Sequence, residues 1–318
     1  MKIMFWGTPS FAVPTLKVLC ESSKHEVISV VTQPDKEQGR KKNVLPTPVK
    51  IFARSKSIEV LEPEKTNDEN FVSLVKKKSP DISILVAYGK ILSKKILSIP
   101  KHGFFNVHFS LLPKYRGSSP IVSAMLNGES KIGISIIKLV PKVDAGPIAA
   151  KLEFPLLEEY SREDVENKLG EAAGPLTLDV LDKLENNLLA FEEQDESQAT
   201  YCGMIKKEDG KIIWDNSANN ISLFVKAMYP WPEAYTFWKK KNYDLEPQRI
   251  IIKKGIPILN SNCVDVPGTT ICVNDKGIDI ATKQGIFRIL SLQKSGKKQV
   301  DVKEFIAGNK IEPGDMFI

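Results

Sequence analysis

The sequence predicts an α/β fold, a mostly parallel sheet covered by helices, followed by a smaller antiparallel β domain. Three observations carry this. Over the first two-thirds of the chain, short β-branched runs alternate with stretches of helical period, as a sheet with helices on both faces requires. A polar, aperiodic segment at 191–200 then interrupts the alternation. Beyond it, three short apolar runs are joined by NDKG and KQG, the turn chemistry of an antiparallel meander.

The expected strands are residues 2–6, 26–32, 81–87, 104–108 and 133–140, all rich in Ile, Val or Phe. Helical period is clear at 11–20 and 70–78. The Gly7-Thr8-Pro9 tripeptide has one glycine where a dinucleotide fingerprint needs three. Thr8 or Ser10 capping a helix with Pro9 near its start is the better account. Residues 32–48 form a long polar loop. Its Arg40, Lys41 and Lys42, next to Gly39, suit contact with phosphates. A longer helix starts at Ser161, where Asp164 three residues on resembles a capping box and Val165, Leu169, Leu176, Val180 and Leu184 recur at helical intervals. The expected organisation is a first domain over 1–189, a linker over 190–203 and a second domain over 204–318. In the second, a helix (ANNISLFVKAM), a strand (RIIIKK) and the meander suggest a small OB-fold-like barrel.

Bulk properties narrow the function. The 318 residues, 42% hydrophobic and 26% charged, can build two cores. No apolar run approaches the roughly 18 residues of a membrane span, and the N-terminus reads as strand and loop rather than signal peptide. The expectation is a cytoplasmic protein with no membrane contact. Cys20, Cys202, Cys263 and Cys272 have no CxxC spacing, and there are only 3 histidines. No metal cluster follows from sequence neighbours, and the cysteines are expected as thiols. From Gly203 onward 18 Lys+Arg face 13 Asp+Glu, so this region supplies most of the net charge of +6. That excess suits an anionic partner, although lysines on a solvated face produce the same count.

One stretch concentrates chemistry. Asn106 and His108 are two apart, so on a strand both side chains share a face. Ser110-Leu111-Leu112-Pro113 then ends the strand. On spacing alone, such a pair is more often an ordinary turn and surface pair. A second segment changes the weighting. Asp144, ahead of Ala145-Gly146-Pro147, sits at a turn able to aim its carboxylate back over the sheet edge and hold the imidazole of His108. An amide donor, an imidazole and an orienting carboxylate suit attack at a carbonyl, where an oxyanion is stabilised and protons move. Ser110 lacks a nucleophile-elbow context.

These segments, GTPSFA, TQPDKEQGRKK, VAYGKIL, NVHFSLLPKYRG, DAGPIA, YPWPEA, RILSLQKSGKK and PGDMF, run the length of the chain. Together they resemble the methionyl-tRNA formyltransferase family. The resemblance implies a Rossmann-like catalytic domain and an OB-fold-like domain that helps hold tRNA. It implies 10-formyltetrahydrofolate as co-substrate and methionyl initiator tRNA as acceptor; no metal and a monomer are the accompanying expectations. It places Asn106, His108 and Asp144 in catalysis and the basic loop, through Arg40 with Lys41 and Lys42, on tRNA. Val86, Ala87, Tyr88, Gly89, Ser110, Leu111, Leu112 and Pro113 fall at the folate. Phe109, where the family has a small residue, is expected to point away from the catalytic face. Rival readings are a formyltransferase for a small amine, a hydrolase releasing formate, and a non-catalytic RNA-binding protein.

Overall fold

The structure is a computed structural model describing residues 1–38, 43–241, 246–258 and 265–318. The chain forms two compact units. The first comprises Met1–Pro120, Lys131–Pro155 and Val165–Gly203; the second comprises Ile121–Ser130, Leu156–Asp164 and Met204–Ile318.

In the first unit, β1 (Lys2–Gly7), β2 (Glu26–Val31), β3 (Val60–Leu61), β4 (Ile82–Val86), β5 (Phe104–His108), β6 (Lys131–Lys138) and β7 (Ile148–Pro155) make one sheet in the order β7-β6-β5-β4-β1-β2-β3. The pairs among β1 to β5 are parallel, and β5–β6 and β6–β7 are antiparallel. Ile3 to Trp6 are fully buried, as expected of a central strand covered on both faces. The chain winds from β1 towards β3 on one side and from β4 to β5 on the other, so the winding reverses between β1 and β4. In open α/β sheets ligands bind beyond the C-terminal strand ends at such a reversal.

Around it sit α1 (Val13–Cys20), α2 (Pro48–Ser55), α3 (Glu69–Lys78) and α4 (Arg162–Glu185). Asp68 caps α3 by accepting from the Phe71 N–H at 3.0 Å. The Ser161–Asp164 capping box forms as expected. The Asp164 carboxylate accepts from the Ser161 N–H at 2.8 Å, and the Ser161 hydroxyl accepts from the Asp164 N–H at 3.2 Å.

Four local expectations need correction. Neither Thr8 nor Ser10 caps a helix: the 3-10 turn Ser10–Ala12 has Pro9 at its N-cap with no side-chain bond, and Thr8 Oγ1 donates instead to the Tyr88 carbonyl. Within the expected loop 32–48, Lys36–Gln38 and Asn43–Leu45 pair as short antiparallel strands. The strand expected at 133–140 is shifted to Lys131–Lys138, and β7 was not foreseen. Its sequence, IAAKLEFP, has weak strand propensity, and its pairing with β6 makes it a strand.

The segment 190–203, expected as a linker, belongs to the first unit by its contacts. Glu192 and Ile148 exchange backbone bonds of 2.8 and 2.9 Å. Phe191 lies against the Phe105 ring, and Tyr201–Cys202 pairs in parallel with Arg116–Gly117.

In the second unit, β8 (Tyr235–Lys239), β9 (Gln248–Ile258), β10 (Thr270–Asn274), β11 (Gly277–Ala281), β12 (Ile286–Lys294) and β13 (Met316–Phe317) follow the order β10-β11-β12-β9-β8-β13. Thr269 bridges Met316, and the Thr270 N–H donates to the Asp315 carbonyl at 2.8 Å, so the ends of the sheet meet. The expected antiparallel barrel is therefore present, with the meander strands β10 to β12 consecutive. α5 (Ala218–Met228), capped by Ser217, packs against β9 and β12. Among the described residues, no helix is long and apolar enough to cross a membrane.

Candidate active site at the end of β5

Strand alternation puts Asn106 and His108 on one face at the C-terminal end of β5, both buried. Phe109 turns elsewhere and packs edge-on against Phe11. The Asp144 carboxylate lies over the pair. Asn106 Nδ2 donates to Asp144 Oδ1 at 3.1 Å, and the Gly117 N–H donates to Oδ2 at 2.9 Å. His108 Nε2–H donates to the Tyr115 carbonyl at 2.9 Å, and its Nδ1 faces Asp144 Oδ2 at 3.6 Å.

The three side chains thus meet, but one expected relation is corrected. Asp144 faces His108 at ion-pair distance without a closed hydrogen bond, and the Tyr115 carbonyl sets the ring's orientation. A carbonyl can only accept, so Nε2 carries a hydrogen and Nδ1 is the nitrogen turned to the carboxylate. Backbone geometry supports the arrangement. Tyr115 (φ 59°) and Asp144 (φ 46°) both occupy left-handed conformations, which cost of order 1–3 kcal/mol each and persist only where neighbours over-determine them. A Cβ on Gly146 would collide with the Lys138 carbonyl oxygen, so the Asp144 turn can lie against the end of β6 only with glycine there.

The neighbour that holds the Asp144 turn comes from the segment after α4. Gln194 Nε2 donates to the carbonyls of Asp144 (2.8 Å) and Gly146 (2.7 Å). Its Oε1 accepts from Arg116 Nε (3.0 Å) and Nη2 (2.9 Å). Arg116 is fully buried and also binds both carboxylate oxygens of Glu196 and the Tyr201 hydroxyl. Lys142 reaches the same carboxylate at 2.6 Å. The sequence reading missed Gln194, Arg116 and Glu196. Its one available signal was Arg116, inside the quoted KYRG.

Arg116, and then Lys142, hold the Glu196 carboxyl down at about 2, against an ordinary 4.5. Because the folded value is depressed, the stabilisation is complete above the ordinary value and is lost as pH falls from 4.5 through 2. Wild-type protein should therefore lose thermal stability more steeply than Glu196→Gln over that interval. Parallel Tm-against-pH curves would contradict the assignment.

The segments expected at a folate divide in two. Tyr88 is a core residue: its ring is fully buried edge-on to Trp6, and its hydroxyl has no hydrogen-bond partner among the described residues. Burial pushes its phenol pKa up. What Tyr88 offers a ligand-facing loop is backbone, and its carbonyl already accepts from Thr8 Oγ1 and Gln33 Nε2. Val86 is buried at the end of β4, and Ala87 (φ 48°) and Gly89 (φ 82°) turn the chain beyond it. Leu112 is likewise buried, packing with Ile137 and Ile148. Ser110 Oγ donates to the Lys114 carbonyl at 2.7 Å, Leu111 lies against Gly133, and the Pro113 carbonyl accepts from the Thr200 N–H. One residue beyond Gly89 begins an open cleft of about 320 Å³, lined by Lys90 to Ser93 and by Glu64 to Asn67.

Arg40, Lys41 and Lys42 lie outside the described residues. Below that loop, buried Lys50 binds Asp35 at 2.6 Å and Glu62 at 2.8 Å, tying the first residues of the loop to α2. Cys20 and Cys272 stand outside any disulfide among the described residues, the Cys202 thiol donates to the Tyr115 and Arg116 carbonyls, and Cys263 lies outside the described residues. Among the described residues one tertiary grouping, His25, Asp182 and Glu185, brings metal-type ligand atoms together. There Lys24 and the Met1 amine already face the carboxylates.

Residues 1–181 match the formyl transferase family and residues 204–310 its C-terminal domain. The chain is 41% identical to a methionyl-tRNA formyltransferase of Thermodesulfovibrio yellowstonii, covering 98% of this chain and 97% of that one. It is 38% identical to the enzyme of the same name from a Sulfurihydrogenibium species over the full length of both. Two solved structures share the fold at low identity. One is HypX from Aquifex aeolicus in complex with tetrahydrofolic acid (TM-score 0.63, 16% identity, 100% of this chain and 50% of that one). The other is an N-formyltransferase from Helicobacter canadensis with folinic acid and dTDP-3-aminofucose (TM-score 0.64, 17% identity, 92% and 99%).

Proposed function

The chain belongs to the methionyl-tRNA formyltransferase family, and we propose that it moves the formyl group of 10-formyltetrahydrofolate onto the α-amino group of methionyl initiator tRNA. The observation that carries the reading is the convergence of Asn106, His108 and Asp144 at the C-terminal end of β5.

An α-amino group has an ordinary pKa of about 8, so an appreciable fraction is neutral near pH 7 and nucleophilic without a strong base. The amine nitrogen bonds to the formyl carbon, and the carbonyl oxygen becomes an oxyanion. Asn106 has a second Nδ2 hydrogen besides the one given to Asp144, and that hydrogen donates to the oxyanion; the Nε2–H of His108 stays on the Tyr115 carbonyl, so the imidazole contributes through a proton carried on Nδ1. Asp144, pinned by Gly117 and Asn106, takes the amine proton and returns it to N10 as the carbon–N10 bond breaks. Nothing in these steps needs a covalent enzyme intermediate or a metal. The folate runs along the backbone of 86–89 and the 110–113 turn, and the cleft beside Gly89 has a volume suited to a small ligand. Arg40, Lys41 and Lys42, with the lysine-rich second unit, hold the acceptor's phosphates. The protein acts as a cytoplasmic monomer.

The test is to incubate the protein with 10-formyltetrahydrofolate and methionyl initiator tRNA and read the methionyl group by mass spectrometry. Gain of one CO is the expected result. Formate release without transfer would establish a hydrolase, and transfer only to small amines would move the assignment to a different acceptor class.

A further inference from the structure

We infer that Gln194 is a positioning residue for the reaction: it holds the Asp144 turn in its reactive conformation, and Arg116 holds Gln194. This rests on the proposed role of Asp144. Three observations carry it. First, Asp144 has φ 46° and Gly146 is packed against Lys138, so the turn sits in a conformation its own residues do not favour. Second, the two Nε2 hydrogens of Gln194 go to the carbonyls of Asp144 and Gly146, one on each side of Ala145. A single amide thus fixes the orientation of two of the turn's peptide planes. Third, the amide itself cannot rotate. Exchanging its oxygen and nitrogen would set two carbonyls against an acceptor and the Arg116 guanidinium against a donor.

Arg116 is locked in turn by Glu196 and Tyr201. The next residue, Gly117, gives its N–H to Asp144 Oδ2, and the preceding residue, Tyr115, gives its carbonyl to His108 Nε2. Residues 115–117 therefore touch His108, Gln194 and the Asp144 carboxylate in succession. The segment 194–196 closes this ring of contacts from the far side. Without Gln194 the Asp144 and Gly146 carbonyls lose these bonds, and the turn keeps the carboxylate's contacts with Gly117, Asn106 and His108.

Gln194→Met keeps the volume and removes both donors. Its expected effect is a fall in kcat of about 100-fold, the scale of a catalytic group displaced by about 1 Å, with KM for folate and for tRNA within a few-fold of wild type. In the same protein the Gly117 amide proton should lose protection from hydrogen exchange, because it reports Asp144 Oδ2 directly. Arg116→Lys should give an intermediate loss, since lysine can reach Gln194 but cannot hold it with two parallel donors. Lys151→Ala, which removes an exposed ion pair to Glu192 on the same segment, should leave kcat unchanged. Asp144→Asn is run alongside. If it keeps wild-type kcat, the catalytic reading of Asp144 is wrong. If it loses activity while folded Gln194→Met turns over normally with Gly117 still protected, the positioning role is refuted and the catalytic reading stands.

Discussion

Asn106→Ala and His108→Ala should each lower kcat by about 10²–10³, the usual loss for one oxyanion donor. Affinity for tRNA should stay close to wild type, because both side chains are buried at the end of β5. Their consequences for structure differ. Removing the Asn106 amide frees Asp144 Oδ1, so part of its loss comes through the carboxylate. Removing the imidazole leaves the Tyr115 carbonyl to the weak Cys202 thiol donor and does not break either hydrogen bond to Asp144. The double variant should therefore lose less than the product of the two single losses, as groups acting on one transition state do. Single-turnover kinetics with saturating 10-formyltetrahydrofolate would check this. Wild-type turnover in either single variant would remove that residue from the site.

The largest effect on stability is expected at Trp6. Its ring is fully buried, edge-on to Phe71 and Tyr88 and tilted against Phe104, and its Nε1 donates to Ser83 Oγ at 3.3 Å. Trp6→Ala should cost about 3–5 kcal/mol through lost burial and the cavity left behind. Ser83, itself buried, would also lose its donor. Trp231→Ala is the contrast, since that ring is 51% exposed and the change should stay within about 0.5 kcal/mol. Urea denaturation of the two variants measures both. A Trp6 variant as stable as wild type would mean the core had closed around the gap.

The architecture was legible because burial writes itself into local sequence. Residues 3–6 form an unbroken apolar run and became an interior strand; the NDKG and KQG turns spaced the meander strands that close the barrel. Asn106 and His108 were legible for the same reason, since a period of two puts them on one face. Asp144 entered through its turn and through the family resemblance. The errors fell where local signals were weak or ambiguous. Tyr88, in the loop-like VAYG motif, has its ring in the core with Trp6 and Phe104, which its local sequence does not announce. β7 has little strand propensity and is a strand because β6 lies beside it.

The sequence by itself determined an α/β part followed by an antiparallel barrel, and which faces of their strands and helices are apolar, because those depend on spacing within a few residues; it did not show that 121–130 and 156–164 group with the second unit. Only the tertiary structure decided that 190–203 is part of the first unit, that Gln194 reaches back 50 and 48 positions to Asp144 and Gly146, and that Tyr115 aims His108. Polar contacts of that kind leave no periodicity. They depend on where chain reversals bring a donor to an acceptor, and a hydrogen bond is satisfied or lost over a few tenths of an ångström.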